Sequence, residues 1–174
     1  KRLSIVNKMK LISGFPLIFI IILSLSVLFD SYEKKNKLES IKEIVVLNTK
    51  ISLLLHETQK ERGMTAGFLG SKGEKFSTEV VAQRLLVDEK LKEVNEFLNT
   101  FDKNAYSEEF LENLNNGLKK LQDLSNIRSG VTAFSINAAV AIDYYTDTNK
   151  LLLNVIATIT KLSNNSKVSQ ELVS

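Results

Sequence analysis

The sequence contains no cysteine and no tryptophan, and it has one proline and one histidine among its 174 residues. Without cysteine there is no disulfide framework, thiolate nucleophile or cysteine-ligated zinc site, and His56 alone cannot form an imidazole cluster. Only seven glycines are present, which disfavours the many tight turns of an all-β fold. We therefore expect an all-α protein with no bound metal and no cofactor.

Catalytic motifs are also lacking. His56-Glu57 begins like a metalloprotease helix, but Lys60 stands where the second histidine would be. The glycines at 67–73 do not form a phosphate loop, because Lys72 follows a serine and no strand precedes it. No nucleophile–base pair, paired catalytic carboxylates or nucleotide fingerprint is recognisable. We predict that the chain is not an enzyme.

Basic charge is concentrated in the first ten residues. Four of the 23 lysines and arginines lie there, before any acidic residue, which leaves 19 basic against 20 acidic residues in the remainder. A nucleic-acid-binding protein would carry a basic face across its folded part. We predict no nucleic-acid partner.

Residues 11–29 form an uncharged, strongly apolar run. At about 1.5 Å per residue a helix of this length spans roughly 28 Å, close to the hydrocarbon thickness of a bilayer. The run is longer than the apolar core of a signal peptide and lacks a small-x-small cleavage site. The positive-inside rule keeps residues 1–10 in the cytoplasm and residues 30–174 outside. We predict one span in a bacterial inner membrane and a periplasmic, extracytoplasmic domain.

Three breaks divide the extracytoplasmic part: a glycine-flanked turn at 70–73, a polar stretch at 100–107, and a break that begins at Ser129-Gly130. Apolar residues recur at spacings of three and four between the breaks. The pattern predicts four helices, at 31–70, 74–101, 107–129 and 135–173. Short connections make neighbouring helices antiparallel, so we expect the transmembrane helix to be followed by an up-down four-helix bundle.

Arginine is rare beyond the apolar run. Arg62, Arg84 and Arg128 are the only three, against sixteen lysines, and each falls on the apolar stripe of its helix. A buried guanidinium cannot lose its proton and needs an anionic partner. Asp88 is one turn from Arg84, but no carboxylate lies three or four residues from Arg62 or Arg128.

Counting residues from the turns places the three arginines at similar heights in the bundle. One interpretation is a pocket for a small oxyanion, because the planar guanidinium fork binds such oxygens bidentately. The other is that each arginine pairs with a Glu or Asp of another helix. We predict Arg62, Arg84 and Arg128 as ligand-binding residues. The residues expected around the ligand, with ordinary packing as their alternative role, are His56, Gln59, Gly63, Thr65, Tyr144 and Tyr145.

The segment around Arg62 carries a recognisable pattern. Glu-Arg-Gly-Met-Thr-Ala-Gly-Phe-Leu runs from Glu61 to Leu69, and Gln83-Arg84 and Asp88 follow. Ile127-Arg128 and Tyr144-Tyr145-Thr146 continue the pattern further along the chain. Over about residues 53–159 the sequence resembles the nitrate- and nitrite-sensing (NIT) domain of bacterial chemoreceptors, sensor kinases and a nitrate-responsive antiterminator.

The resemblance implies an all-helical domain that binds nitrate or nitrite, with Arg62, Arg84 and Arg128 as the arginines that match by position. It implies a transmembrane receptor, most like a methyl-accepting chemotaxis protein, with a cytoplasmic signalling output and a homodimeric assembly. The family pattern continues into a second helical half. We therefore expect residues 1–174 to be the N-terminal part of a longer receptor, and the site is either complete in this part or shared with the second half.

Two other functions fit the same pattern. The domain would sense another small carboxylate or an amino acid if the arginines bind its carboxylate group. It would be a membrane-tethered helical dimerisation module if the arginines form salt bridges between helices.

Overall fold

Residues 5–171 fold into five α-helices and a short 3-10 helix and contain no β-strand. The computed structural model describes residues 5–171, with side chains described for residues 5, 9 and 14–162. The α-helices are α1 (Ile5–Gly70), α2 (Glu79–Leu98), α3 (Glu108–Leu121), α4 (Leu124–Thr132) and α5 (Ala138–Glu171), and the 3-10 helix is Lys103–Ala105. The prediction of an all-α fold is confirmed.

The chain divides into two compact units, Lys1–Ser40 and Ile41–Ser174. In the first unit every side chain of residues 15–29 is exposed, although most of them are large and apolar. Within the described residues, α1 is the one helix long and apolar enough to cross a membrane, judged by length and composition. The span predicted at residues 11–29 lies inside α1 and stays a prediction.

The second unit has a continuous apolar core. Its side chains come from every helix in that unit and include a group of aromatic rings near the 3-10 helix. Full burial of each leucine, isoleucine or phenylalanine contributes about 1.5–3 kcal/mol. The largest fully buried side chains of this core are Leu47, Ile51, Leu54, Val87, Val94, Phe110, Leu114, Tyr145, Leu152 and Ile159.

Helices α1 and α2 run antiparallel in the second unit. Lys50 Nζ lies 3.5 Å from Glu93 Oε2, and further along α1 the carbonyl oxygen of Glu57 accepts a hydrogen bond from Gln83 Nε2 at 3.1 Å. Residue numbers therefore rise along α1 as they fall along α2, as the up-down topology requires.

Helix α5 runs antiparallel to α1. The hydroxyl of Thr58 lies 2.6 Å from Asn149 Oδ1, and the hydroxyl of Tyr145 lies 2.6 Å from Glu61 Oε1. The numbering again rises along one helix and falls along the other. Because α5 also packs against α3 and α4, it contacts three of the other helices of the bundle.

The helix predicted at 107–129 is two helices. The backbone N–H groups of Gln122 and Asp123 bond to carbonyls three residues back, which tightens the chain after α3. The side chain of Asp123 then accepts a 2.7 Å hydrogen bond from Asn126 in the first turn of α4. Helix α4 continues through Ser129-Gly130, where the sequence predicted a break, and ends at Thr132.

Three other predicted boundaries shift. Helix α2 begins at Glu79 instead of 74, because Phe76 has a φ of 62°, a left-handed conformation that a right-handed helix excludes. It also ends at Leu98 instead of 101. Helix α5 begins at Ala138 instead of 135, after Phe134 with a φ of 54°. The predicted end of the last helix, Val173, lies outside the described residues.

Candidate functional site

One layer of the buried stripe of α1 is polar. Thr58, Glu61 and Thr65 are fully buried and continue the apolar stripe at helical spacing. Arg62, which the apolar spacing placed on this stripe, is half-buried beside it. The buried position of this layer is therefore occupied by a carboxylate and not by a guanidinium.

Glu61 accepts hydrogen bonds from two other helices and lies near a guanidinium of a third. Arg128 of α4 contacts both carboxylate oxygens, with Nε 2.7 Å from Oε1 and Nη2 2.8 Å from Oε2. The Tyr145 hydroxyl of α5 donates to Oε1 at 2.6 Å, and Arg84 Nε of α2 lies 3.9 Å from the same oxygen. Such bidentate, charge-assisted pairing offsets the desolvation of a buried carboxylate.

Arg128 has two anionic partners. Its Nη1 donates to Asp88 Oδ1 at 2.6 Å, and its Nη2 also donates to the backbone carbonyl of Arg84 at 3.1 Å. Burial alone would lower the pKa of Arg128, but the hydrogen bond and charge of Glu61, and then those of Asp88, raise this pKa above its ordinary value. The guanidinium is therefore held in its charged form.

Arg84 joins α2 to α4 through polar groups. Its Nη1 donates to the Thr132 hydroxyl at 2.9 Å and its Nη2 to the backbone carbonyl of Arg128 at 3.4 Å. Each arginine thus donates to the backbone of the other. Arg84 Nε is buried, with Glu61 as its only nearby anion in the described residues and no hydrogen-bond acceptor. We call Glu61, Asp88, Arg84, Arg128 and Tyr145 the ionic cluster.

Arg62 lies apart from these contacts. Its Nη1 donates to the Thr146 hydroxyl of α5 at 3.4 Å, which is a long hydrogen bond. Within the described residues no carboxylate lies within 4 Å of its guanidinium, so its charge is not neutralised by an ion pair. The structure therefore brings together Arg84 and Arg128, and leaves Arg62 one helical position from Glu61 with an uncompensated charge.

The two tyrosines predicted around the ligand have different contacts. Tyr145 donates to Glu61, and its pKa is raised by burial and then by the charge of Glu61. Tyr144 donates instead to the backbone carbonyl of Lys120 at 2.7 Å, and burial raises its pKa to about 12. Both phenols therefore stay protonated at neutral pH. Thr65 is fully buried, one helical turn from Glu61.

The other three residues predicted around the ligand are exposed on α1. His56 and Gln59 lie on the solvent side of the helix. A Cβ atom added at Gly63 would meet nothing within 4 Å, so this glycine is not required for packing inside the described chain. These residues leave an open helical face next to Arg62.

A second polar group lies one turn before Glu61. Gln83 Nε2 donates to Glu57 Oε2 at 2.6 Å, and Lys60 Nζ lies 2.8 Å from the same oxygen. Burial opposes ionisation of Glu57, but the hydrogen bonds from Lys60 and Gln83 outweigh it and lower the pKa of the carboxyl group. Gln83 therefore links α2 to α1 beside the ionic cluster.

Sequence reasoning missed the central residue of the cluster. Glu61 falls on the buried stripe as well as Arg62 does, because helical spacing allows steps of either three or four residues after Thr58. The sequence offered Asp88 as a possible partner of Arg84 on the same helix, whereas Asp88 pairs with Arg128 of α4. A search for carboxylates at stripe positions would have found Glu61.

The ionic cluster is electrically balanced and opens to solvent at one edge. Two carboxylates, Glu61 and Asp88, face two guanidinium groups, Arg84 and Arg128. The side chain of Glu61 is 0% exposed and that of Asp88 is 52% exposed. The cluster is therefore most exposed to solvent on the side of Asp88. The described residues hold no group of three or more metal-ligating side chains.

The fold and the ionic cluster define an all-α domain with arginines at a solvent-facing edge. A family model described as "nitrate and nitrite sensing" (NIT) matches residues 53–174. The chain belongs to this nitrate- and nitrite-sensing family, as its sequence pattern predicted. The family is one of sensing domains, and the chain is a nitrate- and nitrite-sensing module.

A solved structure described as the NasR transcription antiterminator is similar to this chain. The two share 28% sequence identity with a TM-score of 0.68, over 76% of this chain and 35% of that chain. This chain therefore spans about a third of the length of that protein. No curated protein sequence matches this chain.

Proposed function

We propose that the chain is the extracytoplasmic sensing part of a bacterial transmembrane receptor, and that it binds nitrate or nitrite at the solvent-facing edge of the ionic cluster. The observation that supports this best is the mutual approach of Arg84 and Arg128, each of which donates to the backbone carbonyl of the other. Arg62, whose described contact is with Thr146 of α5, adds a guanidinium that has no carboxylate partner among the described residues. A planar oxyanion suits this arrangement because guanidinium groups bind its oxygens in parallel pairs. The module binds a ligand and does no chemistry on it.

Arg62 gives the proposed site a means of reporting occupancy. Its one hydrogen bond within the described residues, to Thr146, is long, so little interaction is lost when the guanidinium turns toward a bound anion. That movement changes the contact between α1 and α5. A ligand that favours one arrangement of the two helices shifts their equilibrium, which is the basis of signalling by population shift.

Isothermal titration tests the ligand and the role of Arg62. The full chain in detergent micelles is titrated with nitrate, nitrite, chloride and succinate at matched ionic strength. We expect heat of binding for nitrate or nitrite, and an affinity loss of about tenfold or more in Arg62→Ala, the size of one charge-assisted hydrogen bond. Lys150→Ala is the control, because Lys150 is an exposed cation one turn from Thr146.

The titration can also contradict the choice of ligand or the role of Arg62. Saturable binding of succinate without nitrate would identify a carboxylate sensor. Unchanged nitrate affinity in Arg62→Ala would remove Arg62 from the site. An equal loss in Lys150→Ala would indicate a nonspecific effect of surface charge.

The transmembrane part of the proposal rests on residues 1–29. Basic residues occur at positions 1–10, and α1 has the length and apolar composition of a membrane span. We propose residues 1–10 as cytoplasmic, 11–29 as the span and 30–174 as the periplasmic domain of a homodimeric chemoreceptor of the inner membrane. Alkaline carbonate extraction should leave the chain in the membrane pellet, and its release to the supernatant would contradict the span.

A structural module is the second candidate function. If the arginines serve only to join helices, they should form interhelical salt bridges, and Arg128 and Glu61 form such a bidentate pair. In that case all three arginines support the fold, no anion binds, and the chain serves as a membrane-tethered helical dimerisation module. The titration above separates the two functions.

A further inference from the structure

The guanidinium group of Arg128 has little free hydrogen-bonding capacity. Arginine carries five N–H donors. In Arg128, Nε and Nη2 contact the two oxygens of Glu61, Nη2 also contacts the carbonyl of Arg84, and Nη1 contacts Asp88. A single N–H bond remains without a described partner. An oxyanion that pairs with two donors of Arg128 must therefore displace one of these acceptors, and the carbonyl of Arg84 is fixed in the backbone of α2 while the two carboxylates are on side chains.

The two carboxylates differ in how readily they leave. Glu61 is fully buried and also accepts from Tyr145, so moving it would leave charged and polar groups unpaired inside the core. Asp88 is half-exposed, and Arg128 is its one described partner. Its carboxylate can rotate into water without breaking another contact. Asp88 is therefore the exchangeable partner.

We propose that Asp88 is an internal competitor of the ligand, whose carboxylate occupies Nη1 of Arg128 in the empty site and is displaced when an oxyanion binds. This inference rests on the proposed oxyanion site. While Asp88 is in place the cluster carries two negative and two positive charges, and when Asp88 turns away the cluster has a net positive charge that attracts an anion. Asp88 thereby sets the affinity threshold of the sensor.

The threshold also affects selectivity. To displace Asp88, a ligand must bind Arg128 more strongly than Asp88 does. Asp88 makes a short charge-assisted hydrogen bond of 2.6 Å. A planar oxyanion replaces that bond with more than one oxygen, whereas chloride offers a single centre without directional lone-pair geometry. Removal of Asp88 should therefore strengthen nitrate binding and reduce the ratio of nitrate affinity to chloride affinity.

Titration of two variants of the full chain tests the proposal. Asp88→Asn keeps the shape of the side chain and removes its charge, and Asp88→Ala removes the competing oxygen as well. We expect nitrate affinity to rise by about two- to fivefold, the range that a partly exposed ion pair provides, with Asp88→Ala at least equal to Asp88→Asn. Glu89→Gln removes the same charge from the next residue of α2 and should bind nitrate as the unmodified chain does.

The outcomes separate this proposal from the proposed function. Nitrate binding that is unchanged or weaker in both Asp88 variants would overturn the competitor role while leaving the oxyanion site in place. Binding by the Asp88 variants and not by the unmodified chain would support both. The absence of nitrate binding in every variant, each with an unchanged helical circular dichroism spectrum, would overturn the oxyanion site and the competitor role together.

Discussion

The carboxylate of Glu61 in α1 contacts side chains from three other helices, α2, α4 and α5. Its two oxygens lie within 2.8 Å of donors from Arg128 and Tyr145 and 3.9 Å from Arg84. Because Glu61 is fully buried, no water replaces a donor that is lost. The residue that anchors the bundle is therefore the neighbour of Arg62, the residue that we propose to bind the ligand.

Because Arg128 pairs with Glu61 and Arg62 does not, alanine substitutions at the two arginines should destabilise the protein to different extents. Arg128→Ala leaves Glu61 buried without its bidentate partner and should lower the free energy of unfolding by about 3–5 kcal/mol. Arg62→Ala removes one long, partly exposed hydrogen bond and should cost less than about 1 kcal/mol. Urea denaturation without nitrate, followed by circular dichroism, measures both. Equal losses would contradict the assignment of a structural role to Arg128.

The arginines were predictable from the sequence, but their partners were not. Their rarity and their positions on apolar stripes singled out Arg62, Arg84 and Arg128, and the structure brings the last two together. Charge pairing across helices depends on the rotation of each helix about its axis, which the spacing of apolar residues defines only to within one position. That uncertainty placed Arg62 on the stripe in place of Glu61.

The turns at one end of the second unit are held by aromatic rings. Phe68 at the end of α1 stacks on Phe134, which precedes α5, with ring centroids 5.2 Å apart. Gly73 lies between α1 and α2 with a φ of +88°, and a Cβ atom there would approach the Phe134 ring to 3.1 Å. The two connections therefore support one another, and glycine is required at position 73.

Two glycines of this region should respond oppositely to alanine. Gly73→Ala forces an L side chain into a left-handed conformation and should cost about 1–2 kcal/mol. Gly63→Ala, in the exposed part of α1 with open space around it, should stabilise the helix by about 0.5–1 kcal/mol. Thermal unfolding of both variants measures the difference. A destabilising Gly63→Ala would indicate that a partner covers this face.

Helices and loops differed in how well the sequence predicted them. Helical periodicity located all of the long helices, because the core requires a continuous apolar face. The boundaries at 74 and 135 were wrong by several residues because Phe76 and Phe134 adopt left-handed conformations, which aromatic residues rarely do. Tertiary stacking overrides local preference at Phe134, and no local pattern reports it.

The whole chain combines two units with opposite surfaces. In Lys1–Ser40 the described apolar side chains are exposed along α1, and in Ile41–Ser174 they form a buried core around a polar layer. The apolar run and the basic N-terminus predicted the first unit, and the Glu-Arg-Gly pattern predicted the family of the second. The sequence did not reveal how much of the arginine charge is already neutralised inside the protein.

Thermal unfolding of the full chain in nitrate tests the central claim, that the arginines bind a planar oxyanion. At a hundredfold excess over Kd, binding adds about 2.7 kcal/mol to the free energy of unfolding. For a chain of this size we expect the midpoint to rise by about 5–10 °C in nitrate or nitrite, and not in chloride at matched ionic strength. Identical midpoints in nitrate and chloride would contradict the claim and favour arginines that serve the fold alone.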